Sequence, residues 1–466
     1  MTAPAVTRRR PEPSPAVVAL GTRRRTTELG LLVLAVLIIL GAYALASLGR
    51  NASLPADIWP FLAVLLALLV GAHLANRRLA RAADSLLLPI AALLNGIGYV
   101  FIARLDQDLA ALQASWTAVG IVAYVVTLLA VRDVRLLQRY RYTAGLVGVL
   151  LLILPLLPGI GRSINGARIW VSVGPVSFQP GEFAKIAFAV FFAGYLVERR
   201  ELLSVATFRV GPFNTPDPKH FAPILLAWGA SLVVLIFQRD LGSALLFFLL
   251  FVVMLWVATG RVSYLLVGMG LFLVGAFVSW LSFEHVQKRV SVWIDPWADP
   301  QGSGYQIIQA AYALAWGGTS GVGPGLGIAE RIPYDETDFI FAIIGEELGL
   351  PGTFVILALF GLLATACYRI VTRCTDQFVR IGAAGAMAWI LFQAMINIGA
   401  VIGLLPVIGV PLPLVSAGGS ALVTTLLAMG MLVSFARSEP GAAEILAARP
   451  GVIQRSLAVL PRRRRG

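Results

Sequence analysis

Runs of about 20 apolar residues recur from one end of this chain to the other, and no other feature restricts its fold so severely. At 1.5 Å per residue, such a run matches the roughly 30 Å hydrocarbon core of a bilayer. No water satisfies free backbone groups at that depth, and runs of this length without alternation select helices over a barrel. Of the 466 residues, 58% are hydrophobic and only 13% charged, which excludes a soluble enzyme. The 46 glycines and 26 prolines suit tight helix packing and broken segments. Twelve candidate spans lie at about 29–48, 58–75, 86–103, 112–131, 143–159, 183–197, 221–237, 240–259, 262–282, 339–371, 377–404 and 413–436. The pattern predicts an all-α polytopic membrane protein.

The net charge of +13 raises the question of nucleic acid, and its placement answers it. With the N-terminus in the cytosol, 28 of the 37 Lys and Arg fall in cytosolic segments, including Arg8 to Arg10, Arg23 to Arg25 and Arg462 to Arg465. That asymmetry is the positive-inside rule, which places both termini in the cytosol, and the basic tails can attract anionic membrane lipids. No nucleic acid is needed to explain the charge. Residues 1–26, rich in Pro and Arg, read as a disordered basic tail, and 438–466 as a second basic tail. The first span follows no cleavage site and reads as an anchor. Cys367 and Cys374 are seven residues apart on one helix, about 10 Å, too far for a disulfide. His73, His220 and His285 show no ligand spacing.

Two connections on the outer side are long, at 160–182 and 283–338. Trp170, Trp293, Trp297 and Trp316 argue against disorder there and for contact with the membrane interface. The inside connection 198–220 reads as a plain hydrophilic loop. Within the outer loops, Gln179-Pro180-Gly181-Glu182 reads as a helix start with Gly181 as N-cap. Glu182 and Lys185 then share a helix face just inside the membrane, either as a mutually neutralising pair or as a functional one. Asp240 is either the cap of the next helix or part of a site. Asp295-Pro296 and Asp299-Pro300 are turn signals. Lys288 and Arg289 are rare outer cations beside aromatics, either solvated or facing an anionic headgroup. In PYDETDFIFAIIGEELG, Asp335 and Glu336 read as solvated loop charges and Asp338 as a helix N-terminal residue. Glu346 lies about 12 Å further along the helix, and Glu347, turned about 100° from it, should occupy a different pocket.

Six segments stand in order along the chain: NGARIW, FQPGEFAK, QRDLG, DPWADPQGSGYQIIQ, ETDFIFAIIGEELG and NIGAVIGLLPVIGVPLPLVSAGGSAL. Through them, from about residue 90 to 437, the chain resembles the SEDS family, the RodA/FtsW/SpoVE group of membrane glycosyltransferases. The resemblance implies a ten-helix SEDS core at 86–437, with two additional N-terminal transmembrane helices at 27–85. It implies polymerisation of lipid II into glycan strands at the outer face of the bacterial cytoplasmic membrane, beside a class B penicillin-binding protein as transpeptidase. The short tails and VPLPLVSAGGSAL incline the reading to the elongation (RodA-like) branch over the division (FtsW-like) branch.

Carried over by position, Asp338 matches the family's loop aspartate, Glu182 and Lys185 its QPSEFAK pair, and Asp240 the aspartate of QPDLG. Gln179, Arg289, Gln309 and Ser416 fall on further motif positions. The chain departs from the family at Arg168, one place early in GARIW, at Gly181 in place of serine, and at Ala417 in place of tyrosine. The implied chemistry is an inverting displacement of lipid pyrophosphate by a sugar hydroxyl. Because pyrophosphate leaves once its charge is stabilised, one base and some cations suffice. Asp338 is then the expected base, Lys185, Arg289 and Arg168 the expected pyrophosphate contacts, and Glu182 the residue that orients Lys185. No organic cofactor is expected, and a divalent cation (Mg or Mn) has a place in this chemistry. A lipid II flippase is the rival reading, and it would place its charges near the membrane midplane.

Overall fold

The computed structural model describes residues 15–53, 58–204 except 165, 166 and 175, and 240–439, with the short pieces 208–210, 213–215, 229, 237–238 and 442. Its first helices are α1 (Pro15–Asn51), α2 (Ile58–Leu79), α3 (Leu87–Leu105), α4 (Gln107–Ala130), α5 (Val134–Arg139) and α6 (Arg141–Ile153). After them come α7 (Pro180–Ser204), α8 (Leu241–Thr259), α9 (Ser263–Ser282), α10 (Glu284–Ile294) and α11 (Tyr305–Gly317). The last three are α12 (Ile340–Arg373), α13 (Gln377–Val401) and α14 (Gly419–Phe435). Among the described residues ten helices are long and apolar enough to cross a membrane: α1 to α4, α7 to α9 and α12 to α14. Twelve were expected. The candidate at 143–159 is a helix of 13 residues running into a 3-10 turn at Leu154–Leu156, and the one at 221–237 lies almost wholly outside the described residues.

Several expectations need correction. Residues 15–26 belong to α1, because their arginines have partners: Arg24 donates to Ala82 O, and Arg25 to Ala83 O and to the Glu28 carboxylate. The helical membrane bundle is as expected, and the loop at 160–182 adds to it a small antiparallel sheet, β1 (Gly161–Ile164), β2 (Ala167–Val173) and β3 (Val176–Phe178). The connection 198–220 holds a hairpin, β4 (Phe208–Val210) with β5 (Phe213–Thr215). Gly181, expected as the N-cap, is already inside the helix, which begins at Pro180, whose fixed φ and missing N–H suit the first helical position. The span at 413–436 becomes helical only at Gly419.

The long helix α12 is two pieces. Gly349 has φ 62° and ψ −154°, and a Cβ there would lie 2.3 Å from Gly321 N, so only glycine fits this break. Pro351, two residues on, has no N–H with which to heal it.

At the centre α14 is buried nearly throughout and packs along α4, while α13 packs on α8 and α6 on α7. Phe188 and Phe192 of α7 meet Phe247 and Phe251 of α8 edge-on or tilted, filling that seam with rings. By contrast α9 buries only Gly268. On the opposite flank α1 lies along α3. There the fully buried Glu28 carboxylate meets Arg25, His73 Nδ1 at 2.7 Å and Asn76 Nδ2 at 3.2 Å. Tyr124 of α4 donates to Asn76 Oδ1 at 2.6 Å, which ties α1 and α2 to the core.

Candidate active site

Both long loops converge on one end of the bundle and enclose a cavity of about 680 Å³. Ala167, Ile169 and Trp170 come from β2, and Gln179 from the start of α7. Asp240 precedes α8, while His285, Lys288 and Arg289 come from α10. Gln306 comes from α11, and Glu336 and Asp338 from the segment before α12. Residues 407–411 and 417–421, which lead into α14, close the far wall.

The segment before α12 is held rigidly. Three successive carbonyls are gripped: Glu336 O by Ala417 N at 2.8 Å, Thr337 O by Ser416 Oγ at 2.5 Å, and Asp338 O by Asn397 Nδ2 at 2.9 Å. Asn397 also donates to Val410 O at 2.8 Å, and Ser416 Oγ accepts from Leu412 N at 2.8 Å. Tyr334, with φ 59°, turns the chain so that its carbonyl accepts from Thr337 N and Phe339 N. With its backbone fixed, Asp338 has only its side-chain torsions left, and its Oδ2 faces Gly409.

Electrostatics set this carboxylate apart. Burial lifts the Asp338 pKa to about 6 against the pull of Arg289, and Glu336 adds a further upward push. Arg289, lowered by burial and supported by Asp240 and Asp338, donates to Val407 O at 3.2 Å. Asp335 and Glu336 are not the solvated pair expected. Both are half-buried, and burial together with the Glu336 contact raises Asp335 to about 7.

Of the residues singled out in the sequence, Asp338, Arg289, Lys288, Asp240 and Gln179 meet in the cavity. Asp240 also caps α8 through Ser243 N at 3.0 Å, so its two readings coexist. Gln179 N donates to Ser420 Oγ at 2.9 Å. The other candidates lie elsewhere. Arg168 is half-buried off the cavity and donates to Leu157 O at 3.2 Å. Gln309 is half-buried off the cavity, and Gln306, one turn earlier on α11, lines it instead. Ser416 is a buried clamp on Thr337.

Lys185 and Glu182 pair at 2.7 Å one turn below Gln179 and outside the cavity lining. Lys185 donates to Gln393 Oε1 at 3.1 Å and lies 5.1 Å from the Trp389 ring centroid, and Glu182 accepts from Thr424 at 3.4 Å. Lys185 reaches the cavity wall through Gln393, whose Nε2 donates in turn to the cavity-lining Pro411 O at 3.0 Å. Glu346 and Glu347, expected in separate pockets, grip one loop, accepting from Ile328 N and Gly325 N respectively. The break at Gly349 brings that loop across both faces of the helix end. Sequence reasoning missed Asn397, Gln306 and Gln393, single polar residues inside otherwise apolar or turn-like stretches.

A bundle of membrane-crossing helices that ends in a polar cavity, with a raised carboxylate beside a guanidinium, defines a multi-pass membrane protein with a charged site at one end of its bundle. The chain belongs to the FtsW/RodA/SpoVE family of cell cycle proteins, whose pattern it matches over residues 86–440. It is 39% identical over 438 residues to the peptidoglycan glycosyltransferase RodA of Mycobacterium tuberculosis, covering 92% of this chain and 93% of that one. Against the probable peptidoglycan glycosyltransferase FtsW of the same organism it is 38% identical over 376 residues, 78% of this chain and 69% of the other. Among solved structures, Thermus thermophilus RodA aligns with a TM-score of 0.54 at 25% identity, covering 77% of this chain and 98% of that one. A chain from a study of structural coordination of polymerization and crosslinking by a peptidoglycan synthase complex aligns at 0.65 with 28% identity, covering 76% and 98%.

Proposed function

We propose that this protein is a peptidoglycan glycosyltransferase that polymerises lipid II at the outer face of the cytoplasmic membrane. The observation that carries the reading is Asp338, a carboxylate fixed by three backbone clamps, with its pKa raised to about 6 and Arg289 beside it. The acceptor sugar's 4-hydroxyl attacks the anomeric carbon of the donor, and the bond from that carbon to the pyrophosphate oxygen breaks with inversion. The hydroxyl proton passes to Asp338, whose pKa suits a base working near neutrality. The lipid pyrophosphate departs as an anion opposite Arg289 and Lys288, near the α14 N-terminus, where Gly418 and Gly419 line the cavity. Gln179, Asp240 and Gln306 remain to orient the sugars. Lys185 and Glu182 support the floor through Gln393, and Ser416 acts through Thr337.

Among the described residues no three His, Cys, Asp or Glu side chains gather as a cation site. A divalent ion such as Mg or Mn would therefore draw part of its coordination from the pyrophosphate, and Asp240 and Glu336 are the cavity carboxylates besides Asp338 that would hold it. The positive-inside count supports cytosolic termini and an outward-facing cavity. RodA-named relatives align over more of this chain than the FtsW-named one, which supports the elongation branch over a division role. The peptidoglycan synthase complex among the structural neighbours supports a class B penicillin-binding protein as partner.

The test is elongation of lipid II by purified protein in detergent. Wild type should build glycan strands and Asp338→Ala should not. A flippase has nothing to do in a micelle, so absence of polymer from active-site-intact protein, with and without the transpeptidase, would favour that rival.

A further inference from the structure

Residues 318–328 connect α11 to the segment that ends in Asp338, and the end of the first piece of α12 holds them. Glu347 Oε2 accepts from Gly325 N at 2.7 Å and Glu346 Oε1 from Ile328 N at 3.1 Å. In return, Val322 N and Gly323 N donate to the carbonyls of Glu346 and Glu347 at 2.9 and 3.0 Å. Arg104 of α3 pairs with Glu347, Nε to Oε1 at 2.6 Å, and donates to Gly327 O. The two side chains are 8% and 1% exposed.

The end of α1 closes the remaining side. A Cβ on Gly49 would lie 2.1 Å from Pro324 O, and one on Gly325 would lie 2.2 Å from Ala46 O. Arg50 donates to the Arg104 carbonyl. These α1 residues fall outside the region that matches the family.

A buried ion pair is an expensive way to gain stability, because apolar side chains of similar volume would pack there as well. What the pair provides here is position. The carboxylates and the guanidinium bind backbone groups of one loop, and the α1 backbone leaves that loop no room to move. The first piece of α12, Ile340 to Leu348, is a rigid rod about 13 Å long. Glu347 is near one end and Asp338 adjoins the other, so a shift where the loop is gripped is carried to the carboxylate.

We propose that Glu347, paired with Arg104 and backed by the Gly49–Arg50 end of α1, is a positioning residue that sets Asp338 for proton transfer. This rests on the assignment of Asp338 as the base. It also gives α1 a part in turnover from outside the matched region.

Two full-length variants test it by lipid II polymerisation kinetics. Glu347→Gln keeps the size of the side chain and one acceptor oxygen but removes the charge. It should lower kcat by about 10- to 100-fold, as a small misplacement of a reacting group does, with KM changed less than about threefold. Gly49→Ala lies at the end of α1 and perturbs the brace without touching the core. It should lower kcat by at least about threefold with the same unchanged KM. Wild-type kcat in either folded variant, or an effect confined to KM, overturns the proposal. Wild-type rates in Asp338→Ala would instead remove the base itself, an outcome distinct from failure of the brace.

Discussion

Replacing Lys185 by Met tests whether this ammonium serves the fold or the substrate. In the wild type its charge is 1% exposed, pairs with Glu182 at 2.7 Å, bonds Gln393 at 3.1 Å and faces the Trp389 ring. Lys185→Met leaves Glu182 buried with the Thr424 hydroxyl, at 3.4 Å, as its hydrogen-bonding side chain among the described residues. Removing one partner of a buried pair costs about 3–5 kcal/mol, because the other charge stays uncompensated. Lys185→Met/Glu182→Leu removes both charges and replaces them with apolar volume, which should bring stability back to within about 1 kcal/mol of wild type. The two single losses would then fail to add in the double variant, as expected of groups in contact. Unfolding by SDS in mixed micelles reads these differences directly. Neither group lines the cavity, so the lipid II KM of the double variant should stay within a factor of about 3, or about 0.7 kcal/mol. If Lys185→Met were as stable as wild type yet lost lipid II affinity tenfold, the ammonium would be touching pyrophosphate and the reasoning from burial would fail.

The pH dependence follows from Asp338. Its pKa is raised to about 6, so kcat should fall as pH drops through about 6, and Arg289→Gln should move that midpoint upward because Arg289 pulls the pKa down. Between about 4 and 6 the folded protein holds a proton on this group that the unfolded chain releases, so its contribution to stability grows as pH falls while activity is lost. A rate profile and a melting profile over pH 4–8 check both signs. Asn397→Ala frees the Asp338 and Val410 carbonyls at once. It should cost about 1–3 kcal/mol of stability and lower kcat more than it raises KM, checked by unfolding and steady-state kinetics.

How much of this was legible in the sequence follows from what each residue depends on. Apolar runs depend on the bilayer alone, so nine of the expected spans appear near their places and the tenth, α14, starts late. Its lateness comes from residues 402–418, which fold back to build the cavity wall with Leu414 at φ 67°, and hydrophobicity cannot distinguish that wall from a helix. Asp338 was legible because a carboxylate at the edge of an apolar run demands a reason. Arg168 misled because strand register decides which side of the sheet it faces, and nothing in GARIW fixes that register. Asn397 was invisible for a different reason: its partners are backbone carbonyls 59 and 13 residues away, and carbonyls carry no sequence signature.

The Glu28 network bears on how the chain enters the membrane. Glu28 stands at the edge of the apolar run at 29–48, where an unpaired charge is costly to bury, and His73, Asn76 and Tyr124 belong to segments synthesised later. Arg25 stands three residues from Glu28 on the same helix and already holds its carboxylate. The first helix therefore carries its own partner for this acidic charge, and the later segments add their hydrogen bonds to that pair as they arrive.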